Sequence, residues 1–313
     1  MIAFGPVPSR RLGRSVGINN IPPKVCSYAC VYCQVGQTLS MSIQRAAFYT
    51  PQEILADVSA KVEHARQHNE GIDYLTIVPD GEPTLDIHLG RTIAALKTLG
   101  IPVAVISNAS LIWRQDVRDD LSAAEWVSLK VDSTIEPIWR KVDRPHGRLR
   151  LEAILQGMRD FKAMFHGTLA TETMLIEGLT GTDENLDGVA RFLATLQPAI
   201  AYLSLPIRPP AQAGVHPADE RSVIKAYQLL SRDVPHVEYL IGYEGNDFAS
   251  TGNVEDDLLS IAAVHPMRQD AVTEFLRHAD ADWSVVRTLL ETGQLSEIEY
   301  GGHIFYTRRF ART

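Results

Sequence analysis

Cys26, Cys30 and Cys33 are the only thiols in this 313-residue chain, and they fall within eight residues of one another. Thiolates spaced C-x3-C-x2-C can each hold one iron of a [4Fe–4S] cluster and leave the fourth iron without a protein ligand. An open coordination position is what a catalytic metal site keeps and a structural site closes. Two plainer arrangements use the same residues. One is a zinc site completed by one of the ten histidines, the other a set of buried thiols acting as small hydrophobes. No histidine lies in the loop or close beside it, so the spacing favours the cluster.

The spacing, with aromatic Tyr32 ahead of the last cysteine, resembles the signature of the radical S-adenosylmethionine (SAM) enzymes. The resemblance implies an iron–sulfur cluster with SAM on its open iron. It also implies reductive cleavage of SAM to a 5′-deoxyadenosyl radical, and hydrogen abstraction from a substrate. The cofactors carry the chemistry, and the protein supplies position and exclusion of water. A second segment, Asp80-Gly81-Glu82-Pro83-Thr84, follows the next expected strand. Gly81 allows close backbone approach, and Pro83 keeps Glu82 extended. The segment resembles the family's Gly-Gly-Glu motif, which binds the amino group of SAM, but has Asp80 in place of the first glycine. Gly5-Pro-Val-Pro-Ser-Arg-Arg-Leu-Gly13, taken with these two motifs, resembles a radical SAM group related to the wybutosine-synthesis (TYW-type) tRNA enzymes. That resemblance covers residues 1–215 and bears on fold and cofactor more than on substrate.

Further candidates follow later strands. Asn108 is a polar residue in the loop Ser107–Ser110. Ser128, Lys130 and Asp132 alternate along one strand and share a face, while Leu129 and Val131 share the other. A lysine and an aspartate facing an interior need partners: SAM, substrate, or each other. Arg10, Arg11 and Arg14 form either an anion clamp or a solvated basic turn. Arg144 and His146 are weaker candidates for substrate contact, Arg208 after the sixth strand is a further anion candidate at the barrel mouth, and Glu177–Thr180 loosely resembles the family's adenine-side motif.

Strands and helices alternate along the chain. Six strands are expected: Ser15–Asn19, Asp73–Val78, Pro102–Ile106, Trp126–Val131, Thr168–Leu175 and Ile200–Leu205. Helices are expected over Pro51–His68, Ile87–Leu99, Gln115–Leu121, Leu149–Met164, Glu184–Leu196 and Ala218–Leu230. The alternation means βαβ units, an α/β class and a parallel sheet. A partial (βα)6 TIM-like barrel over 1–241 is what the family resemblance implies, with function at the C-terminal ends of the strands. A polar, glycine-rich link at 242–254 leads to 255–313. There, three short helices and a hairpin around Gly301-Gly302 suggest a winged-helix-like module.

A net charge of −8 excludes a generally basic nucleic-acid binder, though not a local basic patch. The module carries ten Asp or Glu against six Lys or Arg, which opposes DNA reading. The expected substrate is a protein, a peptide or a tRNA, and the expected electron donor a flavodoxin or ferredoxin. No run is long enough to span a bilayer, no secretory signal is seen, and clustered cysteines suit a reducing cytoplasm. The competing function is an Fe–S or zinc sensor that uses the winged helix to bind a partner.

Overall fold

The computed structural model describes residues 2–242, 245–246, 248 and 253–309. In chain order the elements of the larger part are β1 (Ala3–Ser9), β2 (Gly13–Ile18), β3 (Val25–Cys26), β4 (Ser40–Met41), α1 (Pro51–Gln67), β5 (Tyr74–Ile77), α2 (Leu89–Lys97), β6 (Val103–Ser107), α3 (Gln115–Leu121), β7 (Trp126–Lys130), α4 (Glu136–Val142), α5 (Leu151–Met164), β8 (Thr168–Met174), α6 (Asp183–Leu196), β9 (Ile200–Ser204), α7 (Glu220–Leu230) and β10 (Val237–Leu240). The remainder holds α8 (Val254–Val264), β11 (Met267–Arg268), α9 (Gln269–His278), α10 (Ser284–Glu291), β12 (Leu295–Tyr300) and β13 (His303–Arg308).

The main sheet has eight strands in the order β1-β2-β5-β6-β7-β8-β9-β10. It is parallel throughout except for β1, which runs antiparallel to β2. The sheet curls into a half barrel with helices outside. All six expected strands are present, as β2 and β5–β9. The sheet extends beyond them at both edges: Ala3–Ser9, where no strand was expected, forms β1, and Val237–Leu240 adds β10. The outward residues of each strand pack on the helices. Val16, Ile18, Leu75, Ile77, Val127 and Leu129 share one core with Ile54 and Val58 of α1, Ile93 of α2 and Phe161 of α5. Helix α1 starts as its sequence dictates. Thr50 and Glu53 form a reciprocal capping box, and Pro51 occupies the first turn where its missing N–H costs nothing.

The turn between β1 and β2 closes the barrel floor. Leu12 joins Ala104, Trp126, Ala170, Tyr202 and Leu240 in one apolar layer. Arg10 donates to the carbonyls of Leu240 and Gly242, and Arg11 pairs with Glu172. Arg14 lies 3.6 Å from Glu70. The anion-clamp reading of these arginines is therefore corrected: their guanidinium groups tie the hairpin to β8, to the end of β10 and to the segment before β5.

Residues 254–308 form three helices and a three-stranded sheet of order β11-β13-β12. Gly301 and Gly302 both take positive φ in the hairpin turn, and Gly293 does so after α10. The amide of Ser284 donates to Asp282, which stands one residue before the cap position of α10. The core of this part includes Phe275, Val286, Leu289 and Tyr306, and it is continuous with Phe4, Val7 and Val78 of the barrel. The Tyr300 hydroxyl donates to the Pro206 carbonyl at 2.7 Å, and Arg208 meets His265 at 3.0 Å. Arg208, expected at the barrel mouth for an anion, thus bonds across to the C-terminal part. The expected link lies mostly outside the described residues.

Candidate active site

The cysteine loop runs from β3 to β4, which pair in parallel, so its two ends are held together. Its middle is fastened by backbone bonds to loops at other strand ends. Ala29 N donates to Asp143 O at 3.1 Å, Val31 N to Val142 O at 2.9 Å, His146 N to Ser27 O at 2.9 Å and Gln212 N to Val31 O at 3.1 Å. Each cysteine is half-buried. Burial, then the nearby Glu82 carboxylate, pushes the Cys26 thiol up to about 12. Burial raises Cys30 too, followed by Asp143 and by the other two thiols, and burial raises Cys33. Lys24 and Lys130 offset this in part at Cys33 only, and metal ions bound as thiolate partners supply the rest of the counter-charge. Among the described residues, no three His, Cys, Asp or Glu side chains gather as a single-ion site. A cluster asks for a different arrangement, one iron per thiolate. A cavity of about 400 Å³ opens beside Cys30, lined also by Gln37, Thr38, Arg144 and Gln212.

The Asp80–Glu82 turn is pressed onto this loop. Gly81 bridges to Val25, the residue before Cys26, and Glu82 N donates to Val25 O at 3.1 Å. A Cβ on Gly81 would lie 2.1 Å from Val25 O. The glycine thus serves approach to the protein's own backbone. Gly81→Ala is expected to push the turn off Val25 and lower the iron content of the reconstituted protein several-fold. Iron and sulfide assays check this, and an unchanged content would contradict it.

Glu82 is buried and its carboxylate accepts four bonds. Oε1 takes Thr84 N (3.0 Å), Thr84 Oγ1 (2.5 Å) and Ser107 Oγ (2.7 Å), and Oε2 takes Asn108 N (2.8 Å). Burial nevertheless raises its pKa, against those bonds. Oε2 keeps acceptor capacity for one more donor. Asp80 is raised by burial to about 6, partly offset by Lys24, whose ammonium lies 2.7 Å away. Asn108 stands at the cluster loop itself: its Nδ2 reaches Ser27 Oγ at 3.0 Å and Cys26 Sγ at 3.5 Å.

Ser128, Lys130 and Asp132 share the inner face as expected, but Lys130 and Asp132 do not pair. Lys130 Nζ bonds Glu172 Oε1 at 2.7 Å and lies 5.1 Å over the Tyr32 ring. Asp132 Oδ1 accepts Met174 N at 2.7 Å, and its other oxygen takes the Tyr32 hydroxyl. That hydroxyl also lies 3.3 Å from Asp143, whose Oδ1 is 3.4 Å from Cys30 Sγ. Burial, then Asp132, raises Asp143 well above the carboxylate range. Burial alone would raise Glu172, but Arg11 and Lys130 outweigh it and hold its pKa well below normal. Ser204 Oγ adds a bond to Glu172 at 3.0 Å.

Two residues were missed. Glu172 had a signal, since a charge inside a buried strand calls for the argument that Lys130 received. Asp143 had none beyond its neighbour Arg144. The Glu177–Thr180 segment is a local turn whose Thr180 hydroxyl bonds Met174 O and Ile176 N. His146 accepts from Arg148 N at 3.3 Å.

Residues 20–193 match the Radical SAM superfamily. The chain is 44% identical over 309 residues to UPF0026 protein MJ1312 of Methanocaldococcus jannaschii, covering 98% of this chain and 96% of that one. It is 28% identical to a GTPase Obg of Brachyspira hyodysenteriae, matching 97% of this chain but 44% of that protein. Two solved structures share the fold. A radical SAM methyltransferase from Sphaerobacter thermophilus aligns with TM-score 0.57 at 17% identity, over 72% of this chain and 66% of that one. TYW1 with a lysine–pyruvate adduct bound aligns with TM-score 0.55 at 16% identity, over 72% and 76%. Membership implies SAM and an iron–sulfur cluster, and three thiols in one loop fit the cluster. On its sequence match, its thiol loop and its half barrel, the chain is an enzyme of the radical SAM superfamily and belongs to its UPF0026 group.

Proposed function

We infer that Cys26, Cys30 and Cys33 hold a [4Fe–4S] cluster, and that SAM lies between it and the inner face of β7. When bound, cluster and SAM together supply a one-electron cleavage that yields a 5′-deoxyadenosyl radical able to take hydrogen from a substrate. The observation that carries the reading is the three-thiol loop with the Asp80–Glu82 turn pressed against its first strand.

The chain's residues have separate tasks. Gly81 sets the turn, and the free capacity of Glu82 Oε2 accepts the SAM ammonium. Asn108 steadies Cys26. Lys130, with one of its three donors given to Glu172, offers the others to the SAM carboxylate or ribose. Ser128 and Asp132 line the same face. Tyr32, fixed between Asp132 and Asp143, closes the loop over that face. The substrate is macromolecular, a protein, peptide or tRNA, and a flavodoxin or ferredoxin delivers the electron.

Residues 255–313 act as a winged-helix-like module, a reading supported by the helix order and the β11-β13-β12 sheet. It packs on Phe4 of β1 and on Val78, the residue after β5. Deleting it would uncover Phe4 and Val7, so point variants are the better probe.

Electron paramagnetic resonance tests the site. The reduced, reconstituted protein should give a cluster signal that changes shape on adding SAM, as a cluster held by only three thiols and open to SAM would require. A spectrum indifferent to SAM would contradict the assignment.

A further inference from the structure

Asn108 is bonded to both halves of the site at once. It follows β6 directly. Its backbone amide donates to Glu82 Oε2 at 2.8 Å. Its side-chain oxygen accepts the Ser110 amide at 2.9 Å. A backbone amide can only donate, so this bond fixes which end of the side chain is oxygen. Nδ2 is therefore the end that meets the cysteine loop, 3.0 Å from Ser27 Oγ and 3.5 Å from Cys26 Sγ. Its two hydrogens can serve one partner each.

The turn around Asn108 holds that pose. Ala109 takes a φ of 63°, a left-handed conformation that residues with a Cβ adopt rarely. Ser107 Oγ accepts the Ala109 amide at 2.9 Å and donates to Glu82 Oε1 at 2.7 Å. Ser110 Oγ lies 2.5 Å from Ser27 Oγ. Glu82, Asn108, Cys26 and Ser27 thus form one hydrogen-bonded unit. Among the described residues, Cys26 is the one cysteine whose sulfur meets a side-chain N–H. The sulfur of Cys30 faces a carboxylate instead.

An N–H aimed at a thiolate stabilises negative charge on the sulfur. A cluster gains one negative charge when it is reduced, so such a bond favours the reduced form and raises the reduction potential. It also opposes Glu82, whose charge disfavours a negative Cys26 sulfur. We propose that Asn108 is a positioning residue that raises the reduction potential of the cluster through Cys26, while its backbone amide keeps the Glu82 carboxylate in register with that sulfur. The proposal rests on the assignment of the three cysteines to a cluster. A residue that merely anchored the turn would need only the bond between Oδ1 and the Ser110 amide, with no nitrogen facing the sulfur.

The test is a redox titration of the reconstituted full chain without SAM, followed by the paramagnetic signal of the reduced cluster. Asn108→Ala removes the N–H and adds no charge. At a fixed applied potential, its ratio of reduced to oxidised cluster should fall roughly tenfold, which is about 59 mV towards lower potential for a one-electron couple. Asn108→Asp keeps an acceptor for the Ser110 amide but turns a carboxylate oxygen to the sulfur, so its potential should fall further. Ser110→Ala breaks the contact to Ser27 Oγ and leaves the bond to Cys26, so its potential should stay at the parent value. A second measurement stands even where the Asn108 variants load iron poorly. In the parent grown with asparagine labelled at its side-chain nitrogen, pulsed paramagnetic resonance should show a weak coupling between that nitrogen and the reduced cluster. A parent-like potential in both Asn108 variants, or no nitrogen coupling, overturns the proposal. An equal shift in Ser110→Ala and Asn108→Ala assigns the effect to the turn and overturns it too. A parent that forms no cluster at all overturns the cysteine assignment, and the proposal with it.

Discussion

Cys30→Ala is expected to remove the visible absorbance of the reconstituted protein and reduce SAM cleavage to the level of iron-free protein. Two thiolates cannot hold a cluster that uses three, and no other cysteine exists to substitute. The Sγ of Cys30 faces Asp143, and the backbone on either side is bonded to Asp143 O and Val142 O. Fold and site should separate in this variant. Alanine keeps the backbone bonds, so circular dichroism should match the parent while iron is lost. Were the thiols only core residues, the reverse would follow: a small drop in stability, with iron binding no worse than the parent's. The same comparison at Cys26 and Cys33 checks that all three act as ligands.

Glu172→Leu is expected to destabilise the fold by about 3–5 kcal/mol, measured by denaturant unfolding of the metal-free protein. The carboxylate is 5% exposed and answers two cations, Arg11 and Lys130. Removing it leaves both inside the barrel without their counter-charge, which costs more than the pair itself contributed. The pH dependence has a definite sign. Glu172 has a depressed folded pKa, so its contribution is complete above the unfolded value of about 4.3 and is lost as pH falls through the folded value. The parent should therefore lose stability in acid partly through this group. Glu172→Gln should unfold more easily at neutral pH and show a shallower further loss below about pH 4. An unchanged neutral stability in either variant would mean that Lys130 and Arg11 find other partners.

The half barrel was legible because its inner strands are buried on both faces. β2 and β5–β9 read as short apolar runs between amphipathic helices, a pattern that allows few topologies. The strands missed are those at the sheet edges. β1 contains Pro6 and Pro8, which argue against a central strand and are tolerated at an edge. β10 is four residues long and largely exposed, so it lacks the apolar run. At the site, the placement that follows from local spacing was legible: three thiols in one loop, the Asp80–Glu82 turn after the next strand, and the alternation of Ser128, Lys130 and Asp132. Partners set by the curl of the sheet were not. Lys130 meets Glu172 rather than Asp132 because neighbouring strands bring the two side chains level, a register no single strand encodes. Asp143 reaches Cys30 and Tyr32 only because α4 turns the chain back over the cysteine loop.

The most direct test of the central claim is product analysis after anaerobic reconstitution with iron and sulfide, reduction with dithionite and addition of SAM. 5′-Deoxyadenosine and methionine should accumulate together in the parent and be absent from Cys30→Ala. Stoichiometric iron loading without 5′-deoxyadenosine would contradict the assignment of Cys26, Cys30 and Cys33 to a SAM-cleaving cluster.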